Sequence, residues 1–265
     1  MTLATFCNLH ALGAVGLTFD LDWAPAFTVH AVVDALAARG LRATLFATHP
    51  VEGLSARAHA AGLEIGLHPN FGPGSTHGAT PEAVLDRLHG WYPEARGIRT
   101  HSLVQSSPLL ALMARRGFAW DASLMLEDLP CAQPIASALG LARIPYVWGD
   151  ASHLSAGGAF EVSALPLGTP GLKVLNFHPL LLALNAEGPG RYSAFKAGCA
   201  SLERATPADL APHVFAGRGL RTLFEALLDA IADRGLGTYT LSEVAEALAL
   251  ARAVPGASRA PLSFR

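Results

Sequence analysis

The sequence is poor in the features that mark several large classes of protein. Only three cysteines occur, Cys7, Cys131 and Cys199, far apart and odd in number. That excludes a disulfide framework and a cysteine metal knuckle, suits a reducing compartment, and leaves the three as buried small hydrophobes. Charged residues make up just 15% and the formal net charge is −2, so there is no electrostatic footprint for nucleic acid. No run of Lys and Arg marks an anionic membrane surface. Every long apolar stretch, Val174 to Leu184 included, is interrupted by Pro, Gly or polar residues, and none reads as a transmembrane helix. Residues 1 to 16 are apolar but carry no basic opening segment and run straight into a strand pattern, so no signal peptide and a cytoplasmic location are expected.

What is there is a chain of 265 residues, 51% of them hydrophobic, long enough to bury a sizeable core. Strand and helix patterns alternate along it. An apolar run ending at Asp20 is followed by a helical pattern over 29–39 stopped by Gly40, a strand over 41–48, a short helix over 55–61 and a strand over 63–67 that ends at His68. Thr80 caps a helix that begins at Pro81; strand 97–100 ends at His101; Ser106 and Ser107 cap a helix over 108–116; and strand 118–120 ends at Asp121. Further strands are expected over 143–147 and 173–177, the latter ending at His178, and helices over 220–234 and 242–251 close the chain. This alternation predicts parallel pairing and an α/β fold, an irregular β/α barrel of seven or eight strands resembling a TIM barrel. One domain is expected over 1–252, with 183–218 as an irregular excursion carrying short helices and 253–265 as a tail.

Chemistry gathers at the strand ends. Asp20 and Asp22 stand two apart in Thr18-Phe19-Asp20-Leu21-Asp22-Trp23, a spacing that aims both carboxylates to one side of an extended segment. An isolated pair of this kind is ordinarily solvated or caps the next helix. Here Asp20, Asp22, His68, His101, Asp121 and His178 all lie at or just past C-terminal strand ends, which converge on one face of a parallel sheet. Imidazoles and carboxylates without cysteine suit zinc or another borderline divalent cation, which acidifies water and polarises a carbonyl.

Five stretches in order resemble the motifs of the polysaccharide deacetylases, the NodB-homology carbohydrate esterases. They are Thr18 to Asp22, His68 to His77, Arg99-Thr100-His101-Ser102, Asp121-Ala122-Ser123 and Leu175-Asn176-Phe177-His178-Pro179, together spanning roughly residues 15 to 180. The run Arg99 to Leu103 resembles a divergent branch found with bacterial surface-polysaccharide genes. The resemblance implies a hydrolase that removes an N-acetyl or O-acetyl group from a sugar or polysaccharide precursor. It implies Asp20 as general base, Arg99 as its partner, His178 as general acid held by Asp121, and Asp22 and His68 as ligands of a divalent metal, zinc first, cobalt or nickel as alternatives. The backbone N–H near Ser102 would complete an oxyanion hole.

The family places a second histidine four residues after the first, where this chain has Gly72. His77, in the same Gly- and Pro-rich loop, is the first choice as third ligand, and His101, which replaces a usual proline, is the rival or else a substrate contact. Trp23, Arg143 and Trp148 are candidate substrate-binding residues; for Trp148, sugar stacking and core packing are both open. His10, His30, His49, His59, His89, His153 and His213 read as structural. Two alternatives stand beside deacetylation: a metal-dependent amidase acting on a small non-sugar amide, and a catalytically inactive domain that binds a glycan or a protein partner.

Overall fold

The computed structural model describes residues 13–127 and 129–253; Cys7, His10, the opening segment and the tail lie outside them. Among the described residues, nine strands form one sheet in the order β6-β7-β5-β4-β3-β2-β1-β9-β8. They are β1 (Ala14–Asp20), β2 (Ala43–Ala47), β3 (Glu64–Leu67), β4 (Gly97–Ile98), β5 (Trp120–Asp121), β6 (Ile135–Ala136), β7 (Ala142–Arg143), β8 (Trp148–Gly149) and β9 (Leu172–Phe177). Every pairing is parallel except β6 with β7.

The expected strand over 143–147 is in fact the link between two short ones. Residues 142–149 start beside β5, at Trp120↔Ala142, and end beside β9, at Trp148↔Leu175. Between those points Tyr146 exchanges backbone hydrogen bonds with Leu124 and Leu126, and Val147 N–H donates to Val174. One bent segment therefore draws the two edges of the curled sheet together, which gives the α/β barrel its irregular wall.

Side chains of β1 sort by parity, as a strand requires. Leu17 and Phe19 face outward into a large apolar layer shared with the surrounding helices, where Phe19 packs against Phe177 and Phe224 at ring-centroid distances of 5.9 and 5.7 Å. Helix Ala26–Ala37 contributes Val29, Val32, Val33 and Leu36 to that layer, and helix Leu220–Asp233 contributes Leu223, Phe224, Leu227, Leu228 and Ile231. Both sets follow the i, i+3, i+4 spacing of an amphipathic helix. The expected Thr80 and Ser106 caps accept from Ala83 N–H and Leu109 N–H.

The inward side chains form a second, smaller core. Ala14, Phe46, Trp120 and Val174 meet Leu241, Val244 and Ala247 of helix Leu241–Ala253, so this helix plugs the N-terminal end of the barrel. Glu64 and Thr44 tie it there: Leu241 N–H donates to Thr44 Oγ1, and both Ser242 groups donate to the Glu64 carboxylate. With that end filled, the open end is the one where the strands finish.

Gly97 of β4 lies flat against the Trp120 indole, and a Cβ there would sit 2.0 Å from Cδ2 of the ring. The Trp120 Nε1–H is itself fixed by Ser242 Oγ at 3.0 Å. We expect Gly97→Ala to destabilise the fold by about 1–3 kcal/mol through overpacking, read as a lowered midpoint in urea unfolding; an unchanged midpoint would contradict this packing.

Candidate active site

Strand register delivers the site. Asp20 ends β1, opposite Phe46, and Phe19 pairs with Phe177, so the residues just after β1, β2 and β9 are neighbours. The ladder continues past the strand ends, with His68 N–H on Ala47, Arg99 N–H on Leu67 and His101 N–H on Pro69. This brings Asp20, Asp22, His68, Arg99, His101 and His178 to one face.

Arg99 is fully buried at the centre. Its guanidinium carbon lies 4.3 Å from the Phe46 ring centroid and 4.5 Å from that of Tyr146, flanked by two aromatic faces. Its NH1 group donates to Asp20 Oδ1 at 3.0 Å, Thr18 Oγ1 at 2.9 Å and Asn176 Oδ1 at 2.6 Å, and Nε donates to the Ala122 carbonyl. The other Asp20 oxygen accepts from Asn176 Nδ2 at 2.9 Å. Burial pushes the Asp20 carboxyl upward, but the Arg99 charge, followed by His68 and His178, outweighs it and holds Asp20 below the usual carboxylate range. Burial likewise pushes the Tyr146 phenol up to about 12, against the Arg99 charge.

Beside this pair, donor atoms of Asp22, His68 and His101 lie within 4.8 Å of one another. Asp22 Oδ1 is 3.1 Å from His68 Nε2 and 3.0 Å from His101 Nδ1. Although burial opposes it, hydrogen bonds from His101 and His68 hold the Asp22 carboxyl well below the usual range. His68 Nδ1–H donates to the Arg99 carbonyl at 2.7 Å, which orients the ring with Nε2 facing the cluster, where it would give its lone pair to a bound cation. An imidazole ligand needs that second hydrogen bond. Two imidazoles and one carboxylate fit zinc, cobalt or nickel.

His77 does not join the cluster. Its Nδ1 accepts the Asn70 N–H at 3.0 Å, and its ring packs on Trp23 at 5.3 Å between centroids. The opposite side of that contact is His101, whose ring meets Trp23 edge to face at 5.2 Å. Burial, reinforced by the nearby charge of His68, lowers His77 to a pKa of about 4, so it is neutral. The loop that was expected to fold His77 back onto the metal instead uses it to support Trp23, and the rival His101 takes the place beside Asp22.

Asp121 corrects a second expectation. Its Oδ2 accepts from Arg143 Nε at 2.6 Å and its Oδ1 from Ser123 Oγ at 2.6 Å, while Arg143 reaches on to Gln105. The carboxylate that holds His178 is Asp150, whose Oδ1 accepts from His178 Nδ1 at 2.6 Å and whose Oδ2 accepts the His178 backbone N–H at 2.7 Å. Register is the reason. Gly149 pairs with Asn176, so the residue after β8 lies next to the end of β9, whereas Asp121 is several strands away. His178 Nε2 then points at the site, 3.6 Å from Asp22 Oδ2. Burial alone would lower its pKa, but the charge and hydrogen bond of Asp150, with Asp22 and Asp20 adding, raise it to about 10.

Of the remaining candidates, Ser102 has a φ of 56° in the 3₁₀ turn His101–Leu103. Arg143 is engaged by Asp121 and Gln105. Trp148 is a core residue, its ring 5.0 Å from Phe177 with its N–H on His153. Cys131 and Cys199 are half-buried rather than fully buried.

The chain matches the WbmS-like polysaccharide deacetylase family over residues 17–196. It belongs to that family. No curated protein shows significant similarity to it. Among solved structures, a protein from Bordetella bronchiseptica assigned as a polysaccharide deacetylase involved in O-antigen biosynthesis is 29% identical, covering 83% of this chain and 91% of its own with a TM-score of 0.73. A protein from Mycobacterium smegmatis assigned as a polysaccharide deacetylase shares the fold at 16% identity, covering 93% of each chain with a TM-score of 0.58. The peptidoglycan deacetylase PdaC of Bacillus subtilis is 13% identical, covering 91% of this chain and 94% of its own, with a TM-score of 0.50. The deacetylases of this family are hydrolases of amide or ester bonds, and this chain is one of their divergent members.

His178 provides a direct check on the Asp150 pairing. Because the raised pKa depends on Asp150, the metal-free wild type is expected to keep His178 protonated well above pH 8, while Asp150→Asn should return it toward its ordinary 6.5. The sign carries to stability. A folded-state pKa near 10 contributes stability that is complete below about pH 6.5 and lost as pH rises through 10. Histidine side-chain NMR titration of both proteins decides the matter; identical His178 titrations would remove Asp150 from this role.

Proposed function

We propose that this deacetylase is a metal-dependent hydrolase that removes an N-acetyl, or less commonly an O-acetyl, group from a sugar of a surface-polysaccharide precursor. The observation that carries the reading is the convergence of the Asp22, His68 and His101 donors with two separately held ionisable groups, Asp20 on Arg99 and His178 on Asp150. Asp22, His68 and His101 would hold the cation. When bound, a zinc-like cation supplies Lewis acidity for the acetyl carbonyl and a lowered pKa for water.

The protein's own groups divide the proton transfers. Asp20, kept ionised by Arg99 and Asn176, presents Oδ2 toward the cluster, 3.9 Å from His68 Nε2, and accepts a proton from the attacking water. His178, protonated at neutral pH, donates from Nε2 to the departing amine as the C–N bond breaks, and Asp150 keeps its Nδ1 in place throughout. The Ser102 N–H, in the turn that follows Arg99, would serve the oxyanion that develops on the carbonyl oxygen. Trp23, held between His77 and His101, would offer its indole to the substrate beside the cation. A pure binding module has no use for an acid and a base each with its own orienting partner.

Two measurements test the reading. Metal content after reconstitution with zinc should be near stoichiometric in the wild type and in His77→Ala, and largely lost in Asp22→Ala and His101→Ala. On an N-acetylated sugar substrate, Asp20→Asn should retain the metal and lose about 10²–10⁴-fold in kcat, measured by acetate release. Full turnover by Asp20→Asn would remove it as the base, and loss of metal in His77→Ala but not His101→Ala would reverse the ligand assignment.

A further inference from the structure

The turn that carries Asp22 is strained and cannot hold itself. Ala24 N–H donates to the Leu21 carbonyl at 2.7 Å, and the two residues between them, Asp22 and Trp23, have φ of 44° and 56°. Positive φ at both central positions is the type I′ arrangement, which favours Asn and Gly. A bulky tryptophan there is disfavoured and persists only where its surroundings over-determine it.

Those surroundings are two buried residues that the proposed reaction leaves unused. Trp23 N–H donates to Thr48 Oγ1 at 2.9 Å. Thr48 Oγ1 lies 2.9 Å from His49 Nδ1, and His49 Nε2 lies 3.1 Å from the Ala24 carbonyl. For a neutral ring, only one assignment satisfies all three contacts. Thr48 accepts from Trp23 and donates to Nδ1, and the ring carries its proton on Nε2 and donates to Ala24. The relay thus grips the turn at both Trp23 and Ala24. It is anchored from behind by Tyr92, whose hydroxyl donates to the His49 carbonyl at 3.0 Å and accepts the Val51 N–H at 2.9 Å. Burial drives the His49 pKa down, against the opposing charge of Glu203 and the Ala24 hydrogen bond, which suits a neutral ring.

We propose that Thr48 and His49 are positioning residues for the cation site: they hold the Asp22–Trp23 turn in its left-handed conformation and so set the Asp22 carboxylate and the Trp23 indole that packs on His101. This rests on the reading of Asp22 as a cation ligand. Thr48 and His49 directly follow β2, whose register with β1 puts them beside that turn, so the relay is short and direct. Supporting residues of this kind typically change metal affinity by about 10–100-fold when removed.

The test is a cobalt(II) absorption titration of the metal-free full-length protein, with thermal melting of the same metal-free samples. Thr48→Val keeps the shape and removes the hydroxyl; it should weaken cobalt affinity about 10–100-fold, and Thr48→Ser should restore it. Asp22→Ala serves as the reference for loss of the ligand. Thr48→Val that melts lower but binds cobalt as the wild type does, while Asp22→Ala does not bind, would overturn the positioning role and leave the cation site standing. Undiminished binding by Asp22→Ala would overturn both. Wild-type nitrogen NMR gives a check that needs no variant to fold: His49 should be the neutral Nε2–H tautomer, and an Nδ1–H or charged ring would overturn the relay.

Discussion

A guanidinium sealed inside a barrel organises this protein. Arg99 is without solvent contact, flanked by Phe46 and Tyr146, and its charge is answered by one carboxylate, that of Asp20. Neither ion is tolerable there alone. Removing one partner of a buried pair typically costs about 3–5 kcal/mol because the other is stranded. Thr18 and Asn176, on the adjacent strands β1 and β9, and the Ala122 carbonyl accept further hydrogen bonds from it. The Arg99 carbonyl, on the same residue, fixes the His68 ring. A single residue thereby keeps one carboxylate ionised and one imidazole correctly turned.

The rest follows from parallel strands finishing together. Helix Leu241–Ala253 fills one end of the barrel, so polar groups collect at the other. Each functional side chain is the last residue of a strand or the first few beyond it, placed by backbone hydrogen bonds that continue past the strand. Pairing of Gly149 with Asn176 puts Asp150 against His178, and pairing of β1 with β2 puts Thr48 against the Asp22 turn. Register, rather than proximity in sequence, decides which carboxylate meets which histidine.

That distinction explains what the sequence revealed and what it concealed. Alternating strand and helix patterns, capped helices and ionisable strand ends foretold the α/β barrel and the gathering of Asp20, Asp22, His68, His101 and His178, because each is a local signal repeated in order; the pairing of Asp20 with Arg99 was implied by the resemblance to the deacetylase motifs. Asp121 was misplaced as the partner of His178, since choosing among carboxylates at strand ends requires the strand order. The signal for Asp150 was present, an acid directly after the Trp148-Gly149 strand, but the expected strand over 143–147 hid the fact that residues 142–149 cross from β5 to β9. Asn176 sat within a recognised stretch with no role attached. His77 and His101 were separable only by which ring a folded loop turns inward, and Asn70 and Trp23 decide that for His77.

The account's central claim is that Asp22, His68 and His101 form one cation site between the Asp20 and His178 pairs. Anomalous diffraction at the zinc edge from zinc-loaded crystals tests it most directly. The account predicts one strong peak per chain, about 2.0–2.2 Å from a carboxylate oxygen of Asp22 and from one ring nitrogen each of His68 and His101. A peak ligated by His77 instead of His101, or no peak at this face in zinc-loaded crystals, would contradict it.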